Sequence, residues 1–290
     1  MVTASIVTYN HNLQDIEPLL NSLSMSSVSH VYIIDHTEDD NKDFINSLRQ
    51  YGKALMTTNQ SVRSRAINGT LTVSYHKHEN LGYGSGHNVA INMARQEGSK
   101  YHIVINPDVW FEGDIVSSIA RYMDEHEDVG QIMPKVLFPD GYLQRLCKLL
   151  PTPWDMFSRL CLPSFINERD NGRYELKDSN YDKIMNVPYL SGCFMFFRMS
   201  SFADVGLFDE HFFMYAEDID MTRRMNEHYK TLFFPEVTIY HKFSRASRRS
   251  LRLFFIHTAN IFMYFNKWGW FFDKKRRTIN KATLESLGIK

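Results

Sequence analysis

The sequence contains little cysteine and no long apolar run, and each absence excludes a class of protein. Only 3 cysteines occur among 290 residues, and the spacing of Cys147, Cys161 and Cys193 fits neither a zinc site nor a disulfide framework. This usage favours a reducing cytoplasm. No stretch reaches about 18 uninterrupted apolar residues, so we expect no transmembrane helix. The first residues lack the pattern of a signal peptide, and none is expected.

The chain also lacks an excess of charge of either sign. Its 33 Lys and Arg residues balance 33 Asp and Glu residues, so the composition gives no indication of a nucleic-acid partner. What the chain has is a large apolar fraction, 43% of all residues. A chain of this length can bury a substantial core. It is long enough for one large α/β domain or two small ones.

The start of the chain predicts a β-α-β unit. Residues 5–9 form a strand pattern, apolar side chains at helical spacing follow over residues 16–23, and a second strand over residues 31–34 ends on Asp35. Two strands joined in this way run parallel through a right-handed crossover. The sequence therefore predicts an α/β fold.

Strands and helices continue to alternate after this unit. Residues 139–188 interrupt the pattern with weak periodicity and scattered prolines, which we interpret as a loop-rich insertion and not as a separate domain. The further predicted strands cover residues 71–78, 101–105, 189–198 and 232–241, and further helices are predicted around residues 88–96, 115–123 and from residue 217.

Polar residues follow three of the predicted strands, where ligands of open α/β sheets bind. They are Thr8-Tyr9-Asn10, Asp35 and Asn106-Pro107-Asp108. A carboxylate at Asp108 can hold Mg²⁺ or Mn²⁺ against a substrate diphosphate, and the alternative is an ordinary turn that caps a helix. Asp35 can accept hydrogen bonds from a ribose or a base, and the alternative is a solvated strand end.

A glycine-rich loop over residues 80–86 resembles a phosphate loop only superficially. Its glycines do not match the spacing of a dinucleotide fingerprint, and no Lys-Ser/Thr pair follows them. We interpret the glycines as positions where the backbone approaches a ligand closely. Ser85, His87 and Asn88 would then face that ligand.

Two charged clusters in the second half of the chain are candidates for chemistry. Glu217 and Asp218 open a helix, where a carboxylate can act as general base on a sugar hydroxyl, or where it is simply an acidic helix start. His241 can be a metal ligand, and the cations after it can neutralise a leaving diphosphate. A surface histidine with a solvated basic stretch is the alternative.

Residues 245–277 interleave aromatic side chains with cations. This composition suits the interface of a bilayer that contains anionic lipids. It is equally typical of a helix that packs on the domain by its aromatic face and leaves a basic outer side. Both interpretations stay open at this point.

The order of these motifs resembles the glycosyltransferase family 2 pattern, and it is most similar to the rhamnosyltransferase-like branch. The resemblance covers residues 2–243. Its motifs are Ile-Val-Thr-Tyr-Asn at 6–10, Ile-Asp at 34–35, Asn-Leu-Gly-Tyr-Gly at 80–84, Asn-Pro-Asp-Val at 106–109, Tyr-Leu-Ser-Gly-Cys at 189–193, Val-Gly-Leu-Phe-Asp-Glu at 205–210, Phe-Phe-Met-Tyr-Ala-Glu-Asp-Ile-Asp at 212–220, and His241.

This resemblance implies a GT-A fold, a Rossmann-like mixed sheet flanked by helices. It also implies inverting, single-displacement transfer from a nucleotide sugar. The catalytic domain would span residues 1–243, with a nucleotide-sugar-binding half at 1–138 and an acceptor half at 139–243. A helical, aromatic and basic segment near the membrane would follow at 244–290.

The resemblance also assigns roles to residues. Around the nucleotide sugar it places Thr8, Tyr9, Asn10, Asp35, Gly82, Gly86, Asn88, Asn106 and Gly192, and we add Arg245 and Arg248 near the leaving diphosphate. Asp108 and His241 match metal ligands, and Asp218, beside Glu217, matches the catalytic base. Asn106 occupies the first acidic position of the family's Asp-x-Asp motif, and His36-Thr37-Glu38 replaces the usual Asn-x-Ser after Asp35.

By similarity, the expected donor is dTDP-rhamnose and the expected cofactor is Mg²⁺ or Mn²⁺. The expected acceptor is a glycan, linked to a polyprenol, in surface polysaccharide synthesis. The protein would then be cytoplasmic and peripheral at the inner face of the cell membrane. A nucleotide-sugar-binding protein without turnover and an NAD-dependent oxidoreductase are the alternatives. The sequence does not indicate an oligomeric state.

Overall fold

A computed structural model describes residues 1–51, 55–58, 61–65, 71–161, 172–242 and 251–289. Its strands, in chain order, are β1 (Val2–Thr8), β2 (Val28–Asp35), β3 (Leu55–Thr58), β4 (Ser61–Arg65), β5 (Thr72–Lys77), β6 (Tyr101–Ile105), β7 (Val109–Trp110), β8 (Val129–Leu137), β9 (Cys147–Lys148), β10 (Met185–Asn186), β11 (Tyr189–Leu190), β12 (Phe194–Arg198) and β13 (Lys230–His241).

Eleven of the described strands form one mixed sheet in the order β10-β13-β8-β12-β6-β1-β2-β5-β4-β3, and β7 pairs with β13. Strands β6, β1, β2 and β5 run parallel to one another. β12 lies antiparallel between β6 and β8, and β13 is parallel to β8. β9 and β11 form a separate antiparallel pair. The central parallel strands β1, β2 and β6 are almost wholly buried, because both faces of the sheet are covered.

Helices cover both faces of the sheet. They are α1 (Leu13–Ser24), α2 (Lys42–Tyr51), α3 (Tyr83–Gln96), α4 (Ile115–Glu125), α5 (Pro153–Cys161), α6 (Phe202–Val205), α7 (Glu217–Asn226), α8 (Leu251–Trp268) and α9 (Lys274–Ser286). α1 begins at a capping box in which the side chain of Asn12 accepts from the N–H of Asp15 and the Asp15 carboxylate accepts from the N–H of Asn12.

Two apolar cores lie on opposite faces of the sheet. Successive residues of β2, Ile33 and Ile34, belong to different cores, because side chains alternate between the faces of a strand. α1 contributes to the first core, and α3 contributes Ala90 and Ile91 to the second. This layered arrangement confirms the predicted α/β class and leaves the carboxyl ends of the parallel strands for a site.

Two predicted elements differ from those observed. One strand is predicted over residues 189–198, but β11 pairs with β9 while β12 pairs with β6, so a turn at Gly192 separates them. The helix predicted from residue 88 begins at Tyr83, directly after Gly82. Gly82 has φ 107°, a conformation that glycine adopts readily and that allows the loop to turn into the helix at once.

The described part of the C-terminal segment packs on the rest of the fold. Tyr264 and Phe265 of α8 and Leu284 of α9 are buried in the first core. Arg223 of α7 makes a buried bidentate ion pair with Asp273, with distances of 2.7 Å and 3.0 Å. The described part of this segment therefore packs on the domain, which is one of the two interpretations that the sequence left open. No helix in the described ranges is long and apolar enough to cross a membrane.

Candidate active site

Asp35 connects the ends of three strands. Its Oδ1 atom accepts hydrogen bonds from Thr8 Oγ1 at 3.1 Å and from Thr37 Oγ1 at 2.6 Å. Its Oδ2 atom accepts one from the Tyr75 hydroxyl at 2.7 Å. The carboxylate is buried and both oxygens are engaged by the protein, so Asp35 organises the carboxyl ends of β1, β2 and β5. A contact from Asp35 to a ribose or base stays a prediction.

Tyr9 and Asn10 stand at the open end of β1. Asn10 has φ 55°, and its N–H donates to Thr37 Oγ1 at 2.8 Å. The side chains of Tyr9 and Asn10 are exposed. A cleft of about 390 Å³ is lined by Asn10, Thr37 and Phe44, among others, and this volume falls within the range of small-molecule sites. A contact of Tyr9 or Asn10 with a nucleoside stays a prediction.

The glycine-rich loop packs against other parts of the protein. A Cβ atom at Gly82 would overlap the Phe213 carbonyl oxygen, and one at Gly86 would lie 2.7 Å from Val7 Cγ2. Asn88 is buried and donates to the Phe208 carbonyl at 2.9 Å. Gly82 and Asn88 therefore join the two halves of the domain closely, whereas Gly86 packs within the first half. Contact of these positions with a nucleotide stays a prediction.

Tyr83 links the Asn106 loop to the Gly192 turn. Its hydroxyl lies 2.8 Å from the Gly192 carbonyl oxygen and 3.1 Å from Asn106 Oδ1. Asn106 N–H donates to the Cys193 carbonyl at 2.9 Å. Burial raises the pKa of Tyr83 well above its ordinary value. The hydroxyl therefore keeps its proton and acts as a donor between the two segments.

Asp108 and His241 face each other at the end of β13. His241 Nε2 lies 3.3 Å from Asp108 Oδ1, and Nδ1 lies 3.1 Å from Gln144 Oε1. Gln144 Nε2 also donates to the His241 carbonyl at 2.7 Å. Gln144 can only accept at Oε1, so Nδ1 carries a hydrogen and Nε2 points at Asp108. The second ring nitrogen of a metal-ligating histidine is commonly fixed by such a bond, but Nε2 of His241 also carries a hydrogen at neutral pH and would have to release it to bind a metal.

The two groups shift each other's pKa in opposite directions. Burial alone would raise the pKa of Asp108, but the hydrogen bond and charge of His241 lower it. Burial alone would lower the pKa of His241, but the neighbouring Cys193 and Asp108 raise it to about 10. The Asp108 side chain is 32% exposed, so this carboxylate stays ionised and accessible at neutral pH.

A divalent cation fits this pair only as part of a larger ligand set. Within the described ranges, no group of three or more His, Cys, Asp or Glu side chains is arranged to hold a metal ion. One carboxylate with one imidazole suits Mg²⁺ or Mn²⁺ when phosphate oxygens and water complete the coordination. The donor set therefore fits a cation that arrives with a diphosphate.

Asp218 lies against the Gly192 turn on the other side of the site. Its Oδ2 atom accepts from the Gly192 N–H at 3.0 Å and from the Tyr189 hydroxyl at 3.4 Å, and Oδ1 accepts from Ile219 N–H at 2.8 Å. A Cβ atom at residue 192 would lie 3.2 Å from Asp218 Cβ. Only glycine lets the turn approach this carboxylate so closely without displacing it.

Glu217 and Asp218 form a coupled pair of carboxylates. Burial, followed by the charge of Asp218, raises the pKa of Glu217 well above its ordinary value. Burial also raises the pKa of Asp218, but hydrogen bonds from Gly192, Ile219 and Tyr189 and the charge of Lys148 counteract it. Glu217 Oε2 is buried and has no hydrogen-bond partner among the described residues. Glu217 thus holds the proton of the pair, and Asp218 is the group available as a base.

Several residues of the site were not predicted from the sequence. Thr37, Tyr83, Gln144 and Tyr189 orient predicted residues, and Lys148 Nζ lies 4.9 Å above the Tyr189 ring. Tyr83 stands within the Asn-Leu-Gly-Tyr-Gly motif, which could have drawn attention to it. The predicted diphosphate ligands Arg245 and Arg248 lie outside the described residues.

No protein-family model matches the chain. It is 26% identical over 179 residues to an N-acetylglucosaminyl-diphospho-decaprenol L-rhamnosyltransferase of Mycobacterium tuberculosis, over 59% of this chain and 58% of that protein. It is 28% identical over 192 residues to rhamnosyltransferase WbbL of Escherichia coli, over 61% of this chain and 70% of that protein. The chain thus spans little more than half of the mycobacterial relative. The predicted resemblance to rhamnosyltransferases is confirmed.

Solved structures share the fold. GalNAc-T7, solved with UDP, GalNAc and Mn²⁺, matches 83% of this chain and 43% of its own with a TM-score of 0.57 and 12% identity. TarS 1-349 of S. aureus matches 83% of this chain and 60% of its own with a TM-score of 0.51 and 16% identity. Both are glycosyltransferases of the GT-A fold, so the predicted fold is confirmed.

Proposed function

We propose that this protein is a metal-dependent, inverting glycosyltransferase that moves a sugar from a nucleotide diphosphate donor to a glycan acceptor. The observation that carries the proposal is the chain of contacts from Asn106 through Tyr83 and Gly192 to Asp218. It supports the proposal because it holds a base at a fixed distance from the Asp108 loop. Fixed placement of base and leaving group is what a displacement requires.

The donor would lie across the carboxyl ends of the parallel strands. Thr8, Tyr9, Asn10 and Asp35 would receive the nucleoside, and Asp108 with His241 would hold the diphosphate through Mg²⁺ or Mn²⁺. The bound cation would neutralise the charge of the departing diphosphate. Arg245 and Arg248 are further proposed cations for that group.

Asp218 would act as the general base. Its carboxylate would accept the proton of an acceptor hydroxyl while that oxygen forms a bond to the anomeric carbon and the bond from that carbon to the diphosphate oxygen breaks. Attack from the side opposite the leaving group inverts the anomeric configuration. Glu217, which keeps its own proton, would leave Asp218 as the single acceptor of the transferred proton.

The proposed donor is dTDP-rhamnose, and the proposed acceptor is a polyprenol-linked glycan in surface polysaccharide synthesis. The names of the relatives support both, since one specifies a rhamnosyl group and an N-acetylglucosaminyl-diphospho-decaprenol acceptor and the other specifies rhamnosyl transfer. These substrates are proposed for this chain by similarity to its relatives, and transfer assays test them directly.

A lipid-linked acceptor requires a place on the membrane, and the C-terminal segment offers a suitable surface. Phe255 is 67% exposed and Phe272 is 91% exposed, and the exposed cations Lys274 and Arg277 follow directly. Aromatic side chains beside cations suit the headgroup region of an anionic bilayer. We therefore propose a cytoplasmic protein that is peripheral at the inner face of the cell membrane.

A panel of nucleotide sugars tests the donor site. A ligand at about 100 times its Kd stabilises a protein by about 2.7 kcal/mol, so dTDP-rhamnose with Mn²⁺ should raise the Tm by several degrees more than either alone. Rhamnosyl transfer to an N-acetylglucosaminyl-diphospho-polyprenol should then require Mn²⁺ or Mg²⁺. Binding without transfer or donor hydrolysis would indicate a nucleotide-sugar-binding protein instead, and stabilisation by NAD alone would indicate an oxidoreductase.

A further inference from the structure

The segment at residues 214–216 leads into the carboxylate pair with a strained backbone. Tyr215 has φ 71° and Ala216 has φ 70°, and neither residue is a glycine. Two successive left-handed residues with side chains persist only where their surroundings hold them in place. Because Glu217 and Asp218 follow immediately, the position of both carboxylates depends on whatever holds this segment.

Helix α8 supplies contacts that hold the segment. Asn260 Nδ2 donates to the Met214 carbonyl at 2.6 Å, and Asn260 is only 4% exposed. The His257 ring lies 4.7 Å from the Tyr215 ring. These two residues of α8 are one helical turn apart on the same face, so both aim at the strained segment.

The same helix also contacts the first turn of α7. Trp268 Nε1 donates to Asp220 Oδ1 at 2.8 Å, and Lys267 Nζ lies 2.8 Å from the same oxygen. Asp220 is buried. The strained segment is therefore fixed on both sides, by Asn260 before the carboxylates and by Trp268 and Lys267 after them.

We propose that Asn260 is a positioning residue for the catalytic carboxylates, acting through the Met214 carbonyl. The proposal rests on the proposed function for the role of Asp218 as base. Asn260 lies on α8, far along the chain from Asp218, and its hydrogen bond reaches backbone and no reacting group. Loss of this donor leaves the Met214 carbonyl unpaired and lets residues 214–216 relax.

Asn260→Ala tests the proposal, and Asn266→Ala on the same helix is the matched control. The Asn266 side chain is exposed and accepts only from the Trp270 indole among the described contacts. Hydrogen exchange of the amides at residues 215–219 should accelerate about tenfold or more in Asn260→Ala and stay unchanged in Asn266→Ala. Unchanged exchange in Asn260→Ala would overturn the proposal, and this readout requires no substrate.

Kinetics distinguish positioning from a general loss of stability. With dTDP-rhamnose and an N-acetylglucosaminyl-diphospho-polyprenol, well below the Tm of each variant, Asn260→Ala should lower kcat by about 10- to 100-fold and leave the KM for the donor unchanged. In an Asp218→Asn background the same substitution should have little further effect, because the two residues act through one step. Full additivity of the two effects would contradict the proposal.

The two proposals can fail separately. If Asp218→Asn transfers rhamnose at the wild-type rate, the base assignment is wrong, whatever Asn260 does. If Asp218→Asn loses transfer while Asn260→Ala keeps the wild-type kcat, only the positioning role is wrong.

Discussion

At one end of the candidate site Asp108 faces His241, and at the other end Asp218 stands beside Glu217. We call these the diphosphate end and the base end. Opposite charges meet at the diphosphate end, so the pKa of Asp108 is lowered and that of His241 is raised. Two carboxyl groups crowd together at the base end, where burial raises the pKa of both.

The two ends also differ in how the backbone supports them. The turn after β6 carries Asp108, and strand β13 carries His241, whose ring donates to Gln144 Oε1 and whose carbonyl accepts from Gln144 Nε2. The base end begins after two strained residues and depends on α8. An accessible ion pair is suited to binding a charged group of the substrate. Crowded, buried carboxylates are suited to proton transfer.

Removal of the base should have the largest effect on activity, and it tests the role that we assign to the base end. Asp218→Asn keeps the hydrogen bond from Gly192 but cannot accept the proton, so kcat should fall by about 10²- to 10⁴-fold. Donor affinity, measured by calorimetry with dTDP-rhamnose, should not change. Asp204→Asn, at an exposed carboxylate of α6, is the matched control and should keep the wild-type kcat.

Removal of the carboxylate at the diphosphate end should come next. Asp108→Asn leaves His241 without its charged partner, and we expect kcat/KM to fall by about 10²-fold. The additional rise in Tm that Mn²⁺ gives with the donor should disappear. Glu112→Gln at a nearby exposed position should retain it. A variant Asp108→Asn that still responds to Mn²⁺ would place the cation elsewhere.

A substitution at Gly192 should have a smaller effect and tests how closely the base end must be packed. In Gly192→Ala the new methyl group would lie 3.2 Å from Asp218 Cβ, so the carboxylate must move by a few tenths of an ångström. We expect kcat to fall about tenfold with the donor KM unchanged. Steady-state kinetics measure this, and an increased donor KM with normal kcat would assign residue 192 to donor binding alone.

The pH dependence of stability should show the smallest effect. The pKa of Glu217 is higher in the folded protein than its ordinary 4.5, so the folded state binds this proton more tightly than the unfolded chain does. The stability that results is present below the unfolded pKa and is lost as the pH rises through that value toward the folded pKa.

Glu217→Gln removes this dependence, because an amide does not titrate. Between about pH 5 and pH 8, the Tm of the wild-type protein should fall by about 2–4 °C relative to the variant. Calorimetry at both pH values measures the difference. If the Tm of the wild-type protein and the Tm of the variant change equally with pH, Glu217 is not held protonated.

Features of the fold and of the site that rest on periodic or local sequence patterns could be predicted. The apolar strands and the polar residues at their ends are local patterns, so the α/β class and the grouping of Thr8 with Asp35 could be derived from them. Tyr83 could not be assigned its role, because its partners lie 23 and 109 residues away. The contact between Asn260 and Met214 spans 46 residues, and no local pattern encodes it.

The split of residues 189–198 has the same origin. Leu190 pairs with Cys147 and Phe194 pairs with Ile105, so the position of the turn depends on two distant strands. The raised pKa of Glu217 likewise depends on its burial, which an acidic helix start in the sequence does not reveal.

One assay tests most directly whether the two ends act on the same pair of substrates. The protein is incubated with dTDP-rhamnose, Mn²⁺ and an N-acetylglucosaminyl-diphospho-polyprenol in anionic vesicles, and released dTDP and rhamnosylated lipid are both quantified. We predict equal amounts of the two products, with an inverted anomeric configuration, no product without Mn²⁺, and formation of both products slowed by about 10²-fold or more with Asp218→Asn. Release of dTDP without rhamnosylated lipid, or full transfer by Asp218→Asn, would contradict the account.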